Sequence, residues 1–329
     1  METTKTRILK TLLEVEGYLS GQELCHQLGI SRTAVWKYMK QLKEEGYQIE
    51  AVPNKGYCLK ETPDVLEKSA IESRIQTGWV GKNVFYYEEI DSTNTQSKRL
   101  AEEDAPAGTL VVAERQTKGK GRRGRIWDSP AESAIYMSLL FRPQIQPDRA
   151  SMLTLVSGLS VAQAIRELYD AEVQIKWPND IVLNGKKLVG ILTEMSAQMN
   201  YIEYLVVGIG INANLRAFPD DLKDKATSLE QELGQKINRS VLIAACMKKI
   251  EENYEIFVKT QDLRALMDDY QKVLINQDQQ VRVLEPGNEY TGIARGINAM
   301  GELLVEREDG TITEVYAGEV SVRGLYSYV

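Results

Sequence analysis

Hydrophobic positions along the chain fall into three successive textures. Between Thr3 and about Glu61, Ile8, Leu12, Leu13 and Val15 recur at helical spacing, and the pattern stops near Gly17. Ser20 and Glu23 form a capping box ahead of a second helix, which carries Leu24 and Leu28 and ends at Gly29. Ser31 is placed to cap a third helix with Val35, Met39 and Leu42 on one face. Ile49 to Val52, a Pro53-Asn54-Lys55-Gly56 turn and Tyr57-Cys58-Leu59 then predict a two-stranded wing. The order helix, helix, turn, helix, wing is that of a winged helix-turn-helix.

Thr62-Pro63-Asp64 reads as a linker, and a larger mixed segment follows to about Asn276. Its predicted strands are 84–87, 109–113, 135–141, 173–176, 181–183, 188–195 and 201–211, with helical patterns over 153–169 and 240–258. Asn184-Gly185 between two of these strands favours a tight antiparallel hairpin, which weakens a doubly wound parallel sheet. From Gln280 onward, short β segments alternate with turns at Pro286-Gly287, 298–301 and Asp309-Gly310, the pattern of a small β-barrel. The expected class is a multidomain α+β protein divided as 1–63, 64–276 and 277–329.

Composition narrows the chemistry. Lys plus Arg total 40 against 47 Asp plus Glu, a net charge of −7. A uniformly basic nucleic-acid coat is excluded, and DNA contact requires a local patch. A single histidine, His26, argues against a multi-histidine zinc site or a Ser-His-Asp triad elsewhere. Cys25, Cys58 and Cys246 are odd in number and far apart, as expected of free thiols in a reducing compartment. The first ten residues are polar and no apolar run approaches the roughly 18 residues that span a bilayer. The expected location is cytoplasmic, without membrane partners.

The third helix offers Ser31, Arg32, Thr33, Lys37 and Lys40 opposite its apolar stripe, with Lys43 beyond and Lys55 at the wing tip. Such groups suit phosphates and base edges in a major groove. An ordinary solvated helix face is the alternative, because 1–64 holds nine cationic and nine acidic residues. Specific repression by one such unit normally takes a dimer reading two half-sites.

A stronger signal is Gln116-Thr117-Lys118-Gly119-Lys120-Gly121-Arg122-Arg123-Gly124-Arg125-Ile126-Trp127, where 115–125 holds six cations and no acid. Gly119, Gly121 and Gly124 match G-x-G-x-x-G, but no helical pattern follows and nicotinamide-binding turns are not crowded with cations. A flexible cationic loop suits a polyphosphate, with Trp127 free to stack on a base. A solvated basic loop is the competing reading. Lys176-Trp177-Pro178-Asn179-Asp180 and Lys186-Lys187 with Gly190 flank the predicted hairpin, where exposed lysines are the simpler reading. Asp91-Ser92-Thr93-Asn94 places hydroxyls and an amide after a strand and doubles as a helix N-cap. Gly208-Ile209-Gly210-Ile211-Asn212 ends a buried strand where glycines permit close ligand approach.

Taken in order, the 119–125 loop, Lys176-Trp177-Pro178-Asn179-Asp180, Lys187-Leu188-Val189-Gly190 and Gly208-Ile209-Gly210-Ile211-Asn212 resemble the motifs of biotin protein ligases. With a winged helix before them and a barrel after, the chain resembles the bacterial bifunctional biotin operon repressors and ligases over essentially its whole length. Lys120 departs from the family's usual arginine, keeping charge but losing planar bidentate contact.

The resemblance implies a central domain like that of class II aminoacyl-tRNA synthetases and a C-terminal SH3-like barrel. It implies formation of biotinyl-5′-AMP from biotin and ATP with Mg²⁺, then transfer of biotin to a carrier lysine. By the same resemblance Lys187, Arg122 and Arg125 are catalytic, and Ser92, Thr93, Asn94, Gln116, Lys120, Gly121, Arg122, Lys187 and Gly190 bind biotin. Lys120, Arg122, Arg125, Trp127, Asn179, Asp180, Lys187, Asn212 and Arg323 hold the adenylate, with Asp180 also a candidate metal ligand. Operator DNA, a biotin carboxyl carrier domain and a second copy of the chain are the implied partners, with biotinyl-5′-AMP as corepressor promoting the dimer. Two other classes remain: a biotin-sensing regulator without catalysis, and a lipoate-type adenylating ligase.

Overall fold

Three side-chain oxygens start the first three helices. Thr3 accepts from the Thr6 amide ahead of α1 (Thr4–Glu14), Ser20 from Glu23 ahead of α2 (Gly21–Leu28), and Ser31 from Ala34 ahead of α3 (Arg32–Glu44). Helix α2 stops where Gly29 turns left-handed, with φ of 66°. A computed structural model describes residues 2–284, 287–317 and 321–324. The chain forms two compact units, Met1–Gln76 with Asn238–Ala244, and Thr77–Ile237 with Ala245–Val329.

In the first unit Ile8, Leu9, Leu12, Leu24, Val35, Met39 and Leu42 meet in one buried core. The wing pairs β1 (Gln48–Val52) with β2 (Gly56–Glu61), antiparallel. Leu19 and Tyr57 exchange two backbone hydrogen bonds of 2.8 and 2.9 Å, which fasten the wing to the α1–α2 connection. At Gly56, φ is 111° and an added methyl would strike the Leu19 carbonyl, so glycine is required there. The segment read as a linker is tied down. Asn238 donates to the Pro63 carbonyl at 3.1 Å, and Asp64 pairs with the Arg239 guanidinium, each side chain 4% exposed. Helix α4 (Lys68–Glu72) completes the unit.

The second unit is built on a seven-stranded sheet of β3 (Val84–Ile90), β4 (Leu110–Gln116), β5 (Ile135–Phe141), β6 (Gln174–Lys176), β7 (Asp180–Leu183), β8 (Lys186–Gln198) and β9 (Tyr201–Ile211), ordered β3-β4-β5-β9-β8-β7-β6. Only β3 and β4 run parallel, which rules out the doubly wound dinucleotide fold. Asn184 and Gly185 both have positive φ, 50° and 74°, and close the β7–β8 hairpin as the Asn-Gly pair predicts. Helix α5 (Thr93–Glu102) opens directly after β3, and α6 (Met152–Tyr169) lies against the sheet with an almost continuously buried surface. Helices α7 (Leu229–Leu233), α8 (Arg239–Thr260) and α9 (Met267–Lys272) follow; α8 starts in the first unit.

Strands β10 (Gln280–Leu284), β11 (Tyr290–Ile297), β12 (Leu303–Glu306), β13 (Ile312–Val315) and β14 (Ser321–Gly324) form an antiparallel sheet ordered β13-β12-β11-β10-β14, consistent with an SH3-like fold. Pro286 of the expected turn lies outside the described residues. The three cysteines are free. Among the described residues no helix is long and apolar enough to cross a membrane.

Candidate active site

The cationic loop is a closed arch rather than an open flap. Trp127 donates its backbone N–H to Gly119 O at 3.0 Å and Gly121 donates to Arg125 O at 2.8 Å, with Lys120 bridged to Ile126 between them. The chain reverses at Arg123 and Gly124, whose φ values of 57° and 70° are left-handed. A methyl on Gly119 would meet the Ser129 hydroxyl at 2.6 Å, so this glycine lets the two legs of the arch close.

Below the arch, a cleft is lined by Ser92, Thr93 and Asn94 of the β3–α5 junction, Gln116 of β4, Lys120, Gly121, Arg122 and Trp127 of the arch, Asn179, and Lys187 and Gly190 of β8. Tyr136, Met137, Ile191, Leu192, Gly208, Ile209 and Gly210 supply its walls. Sequence positions as far apart as Ser92 and Gly210 thus converge on one cleft.

One irregularity aims the lysine. Residues three apart on a strand normally face opposite sides, so Lys187 and Gly190 would not share a surface. The β7–β8 register slips between Ile181 and Val182, pairing Ile181 with Val189 and Val182 with Lys187, which leaves Leu188 as an extra residue. The bulge brings Lys187 round to the cleft. Its Nζ lies 2.6 Å from Asp180 Oδ1 and 5.3 Å from the centre of the Trp127 ring.

Gly190 and Gly210 face each other across β8 and β9 and form a flat floor. The indole of Trp127 lies on that floor: a methyl on Gly190 or Gly210 would sit 2.6 or 2.7 Å from its ring atoms. Its Nε1 is buried without a hydrogen-bond partner. With the ring there, the cleft is narrow, with a volume of about 50 Å³, and remains partly open to solvent.

Polar groups at the other end of the cleft form a chain. Gln116 Oε1 accepts from the Thr93 amide and hydroxyl at 2.9 and 3.1 Å, and its Nε2 donates to Ser129 Oγ at 3.0 Å. Ser138 Oγ donates to Asn94 Oδ1 at 2.6 Å and lies 2.8 Å from Thr93 Oγ1. Asn94 donates to Glu194 Oε2 at 2.8 Å, and Lys98 pairs with Glu194 Oε1 at 2.6 Å. Burial by itself would raise the Glu194 carboxyl, but the bonds from Lys98 and Asn94 outweigh it and hold the group below its ordinary value. Ser92 sits at the helix N-cap position but makes no side-chain cap bond.

Arg122 reaches inward from the arch and donates to Asn179 Oδ1 at 2.8 Å and to the Ala317 carbonyl at 3.2 Å. Other residues named from the sequence are placed differently. Arg125 is exposed on the arch and is not among the cleft-lining residues, whereas Lys120 lines the cleft but is exposed, with its Nζ 3.3 Å from Thr95 Oγ1. Asn212 is buried with its amide nitrogen donating to the Thr227 carbonyl at 3.0 Å, so it stays outside the cleft lining. Asp180, read as a metal ligand, instead accepts from Lys187 and from Asn179 Nδ2 at 3.1 Å. Among the described residues no three His, Cys, Asp or Glu side chains gather as a metal cage. Arg323 lies on β14 opposite Arg282, and its side chain is outside the described residues.

Ser138, Lys98 and Glu194 escape a motif reading. Only Ser138 leaves a trace, as the sole hydroxyl in the otherwise apolar β5 sequence IYMSLLF apart from Tyr136. In the first unit, Arg32, Thr33, Lys37 and Lys40 are exposed on α3, while the Ser31 hydroxyl is occupied as the helix cap. Lys55 lies 5.6 Å from the ring of Tyr18.

Residues 86–212 match the biotin/lipoate A/B protein ligase family, 4–58 an HTH domain and 278–323 the biotin protein ligase C-terminal domain. The chain is 39% identical over 328 residues to the bifunctional ligase/repressor BirA of Bacillus subtilis (strain 168), spanning 98% of this chain and 100% of that protein. Identity to the bifunctional ligase/repressor BirA of Escherichia coli (strain K12) is 33% over 316 residues, 96% of each chain. The fold matches a biotin protein ligase from Aquifex aeolicus, solved in complex with biotin and ATP, with a TM-score of 0.65 and 34% identity over 74% of this chain and 99% of that one. Fold, cleft and these likenesses define a protein ligase that carries an N-terminal HTH domain. The chain belongs to the biotin protein ligase family, in its bifunctional ligase/repressor form.

Proposed function

We propose that the cleft joins biotin to ATP and then to a carrier lysine. A biotin carboxylate oxygen attacks the α-phosphorus, the bond to the β-phosphate breaks, and pyrophosphate leaves. The carrier amine then attacks the acyl carbon of biotinyl-5′-AMP, an amide forms, AMP departs, and the amine's proton passes to solvent. No enzyme nucleophile is needed. Fixed positive charge is, because negative charge gathers at the α-phosphorus in the transition state. The observation that carries this reading is the pair of cations, Lys187 and Arg122, both lining one cleft, Lys187 held by Asp180 on the neighbouring strand and Arg122 by Asn179.

In this reading Thr93, Asn94 and Gln116 shape the end of the cleft that takes the biotin head group, with Ser92 beside them, while Gly121 and Gly190 line the passage to Lys187. Arg125, Lys120 and Asn179 belong to the nucleotide side, along with Arg323. Trp127 would cover the adenine, and Asn212 would serve only after its amide turned. Mg²⁺ entering with the triphosphate would supply charge neutralisation, with Asp180 as the one side chain proposed to meet it; among the described residues no three His, Cys, Asp or Glu side chains gather to hold it. The carrier is a biotin carboxyl carrier domain presenting its lysine.

The HTH domain makes the same molecule a repressor that reads operator DNA through α3 and the wing. Biotinyl-5′-AMP acts as corepressor by favouring a homodimer that spans two half-sites. A cytoplasmic location suits this work. Purified protein supplied with biotin, ATP and a carrier domain should biotinylate the carrier lysine, and lipoate should not compete. Failure of that transfer, or equal use of lipoate, would overturn the ligase assignment. Sedimentation with and without biotinyl-5′-AMP tests the dimer, and an unchanged monomer fraction would remove the corepressor role.

A further inference from the structure

Trp36 stands with its side chain in solvent, 60% exposed, on the third helix of the first unit. A large aromatic ring in that position is unusual for a helix with an ample core to join. The helix buries Val35, Met39 and Leu42 on one side. With about 100° per residue, Trp36 lies roughly 90° round the helix from the centre of that stripe, on the flank it shares with Arg32, Lys40 and Lys43, with Thr33 next beyond. From Arg32 to Lys43 the helix contains no acidic residue. Lys40 Nζ lies 5.9 Å from the centre of the indole, so the ring is bordered by cation rather than covered by other apolar groups.

We infer that Trp36 is a sequence-reading residue, making apolar contact with thymine methyl groups in the major groove while the cations around it hold phosphates. The inference rests on the DNA-reading role proposed above and assigns it a residue. Thymine alone shows a methyl group in the major groove, and an apolar side chain there is its recognised partner. Lysine and arginine contacts with phosphates set affinity without regard to sequence and are weakened by salt. An uncharged ring contributes no counterion release. Its contribution should therefore appear in discrimination and leave the salt dependence alone.

The full chain with biotin and ATP is used to enrich binding duplexes from a random pool, and the enriched duplex is compared with a mixed-sequence duplex of equal length. Trp36→Ala should weaken binding to the enriched duplex about 10- to 100-fold. It should leave mixed-sequence binding and the slope of log K against log salt close to wild type. Lys37→Ala should instead weaken both duplexes and make the slope shallower by about one. Replacing thymine by uracil in the enriched duplex should reproduce the Trp36→Ala loss and add nothing in that variant. Trp36→Phe should keep most of the discrimination, and an unchanged melting curve for Trp36→Ala would show the fold intact. Wild-type binding of both duplexes by Trp36→Ala, or equal weakening of both, overturns the role of Trp36. If wild-type protein enriches no sequence at all, the DNA-reading role falls and this inference with it.

Discussion

Lys187 and Asp180 sit on adjacent strands of the β7–β8 hairpin with Nζ and Oδ1 2.6 Å apart, and both side chains are largely shielded from solvent. The carboxylate fixes where the ammonium points. In the proposed reaction, a substrate carboxylate or α-phosphate entering the cleft would meet a charge already in position and lose little in orienting it.

Lys187→Ala is expected to lower biotin-dependent ATP–pyrophosphate exchange on the order of 10²–10³-fold, comparable to the loss of one oxyanion-hole donor. Lys187→Arg keeps the charge but changes its reach, and should recover only part of the rate. Near-normal exchange in Lys187→Ala would take this residue out of the chemistry.

Gly210→Ala should fold, because its backbone is ordinary strand, yet displace the Trp127 ring whose atoms approach within 2.7 Å of the new methyl. The floor that a planar ligand needs is then raised. At about 100 times Kd, biotin with ATP adds about 2.7 kcal/mol to the stability of a binding-competent protein. Thermal melting should show that gain in wild type and lose most of it in the variant; an equal ligand-induced shift in both would refute the glycine floor.

The acid stability limb should depend on Glu194. Its carboxyl is held below the ordinary value, so the unfolded chain takes up this proton first as pH falls. The stabilisation is complete above about pH 4.3, the value of a free glutamate, and is lost as pH drops through the lower folded value. Glu194→Gln should cost about 1 kcal/mol at pH 7 and flatten the acid limb when urea unfolding is followed from pH 7 to 3. Parallel curves for the two proteins would show that Glu194 does not carry the effect.

Asp64 and Arg239 form an ion pair buried at both ends, with the Arg239 amide also donating to Asp64 at 2.9 Å. Asp64→Ala strands the guanidinium and should cost about 3–5 kcal/mol in urea unfolding of the first unit. A loss below about 1 kcal/mol would mean that water replaces the carboxylate at no great cost.

The elements that were legible are those whose signal is local. Caps at Ser20 and Ser31, the stripe Val35, Met39 and Leu42, and the Asn184-Gly185 turn all act within a few residues, and each is where the spacing predicts. The cleft depends on longer links. Ser138 is 44 residues from Asn94, and Asn94 is 100 residues from Glu194, so no spacing rule joins them. Lys187 and Gly190 share a surface only because Leu188 is bulged, a backbone event without a sequence mark. Asn212 shows the converse: its motif suggested a ligand contact, but its amide nitrogen is engaged by the Thr227 carbonyl.

Arg122 joins the arch to Asn179 with one nitrogen and to the Ala317 carbonyl beside the C-terminal sheet with the other. Any upward swing of the loop must break the tether at residue 317 as well as the one at the hairpin. Truncating the chain before residue 278 would remove the tether at Ala317, so the loop's position depends in part on the C-terminal sheet.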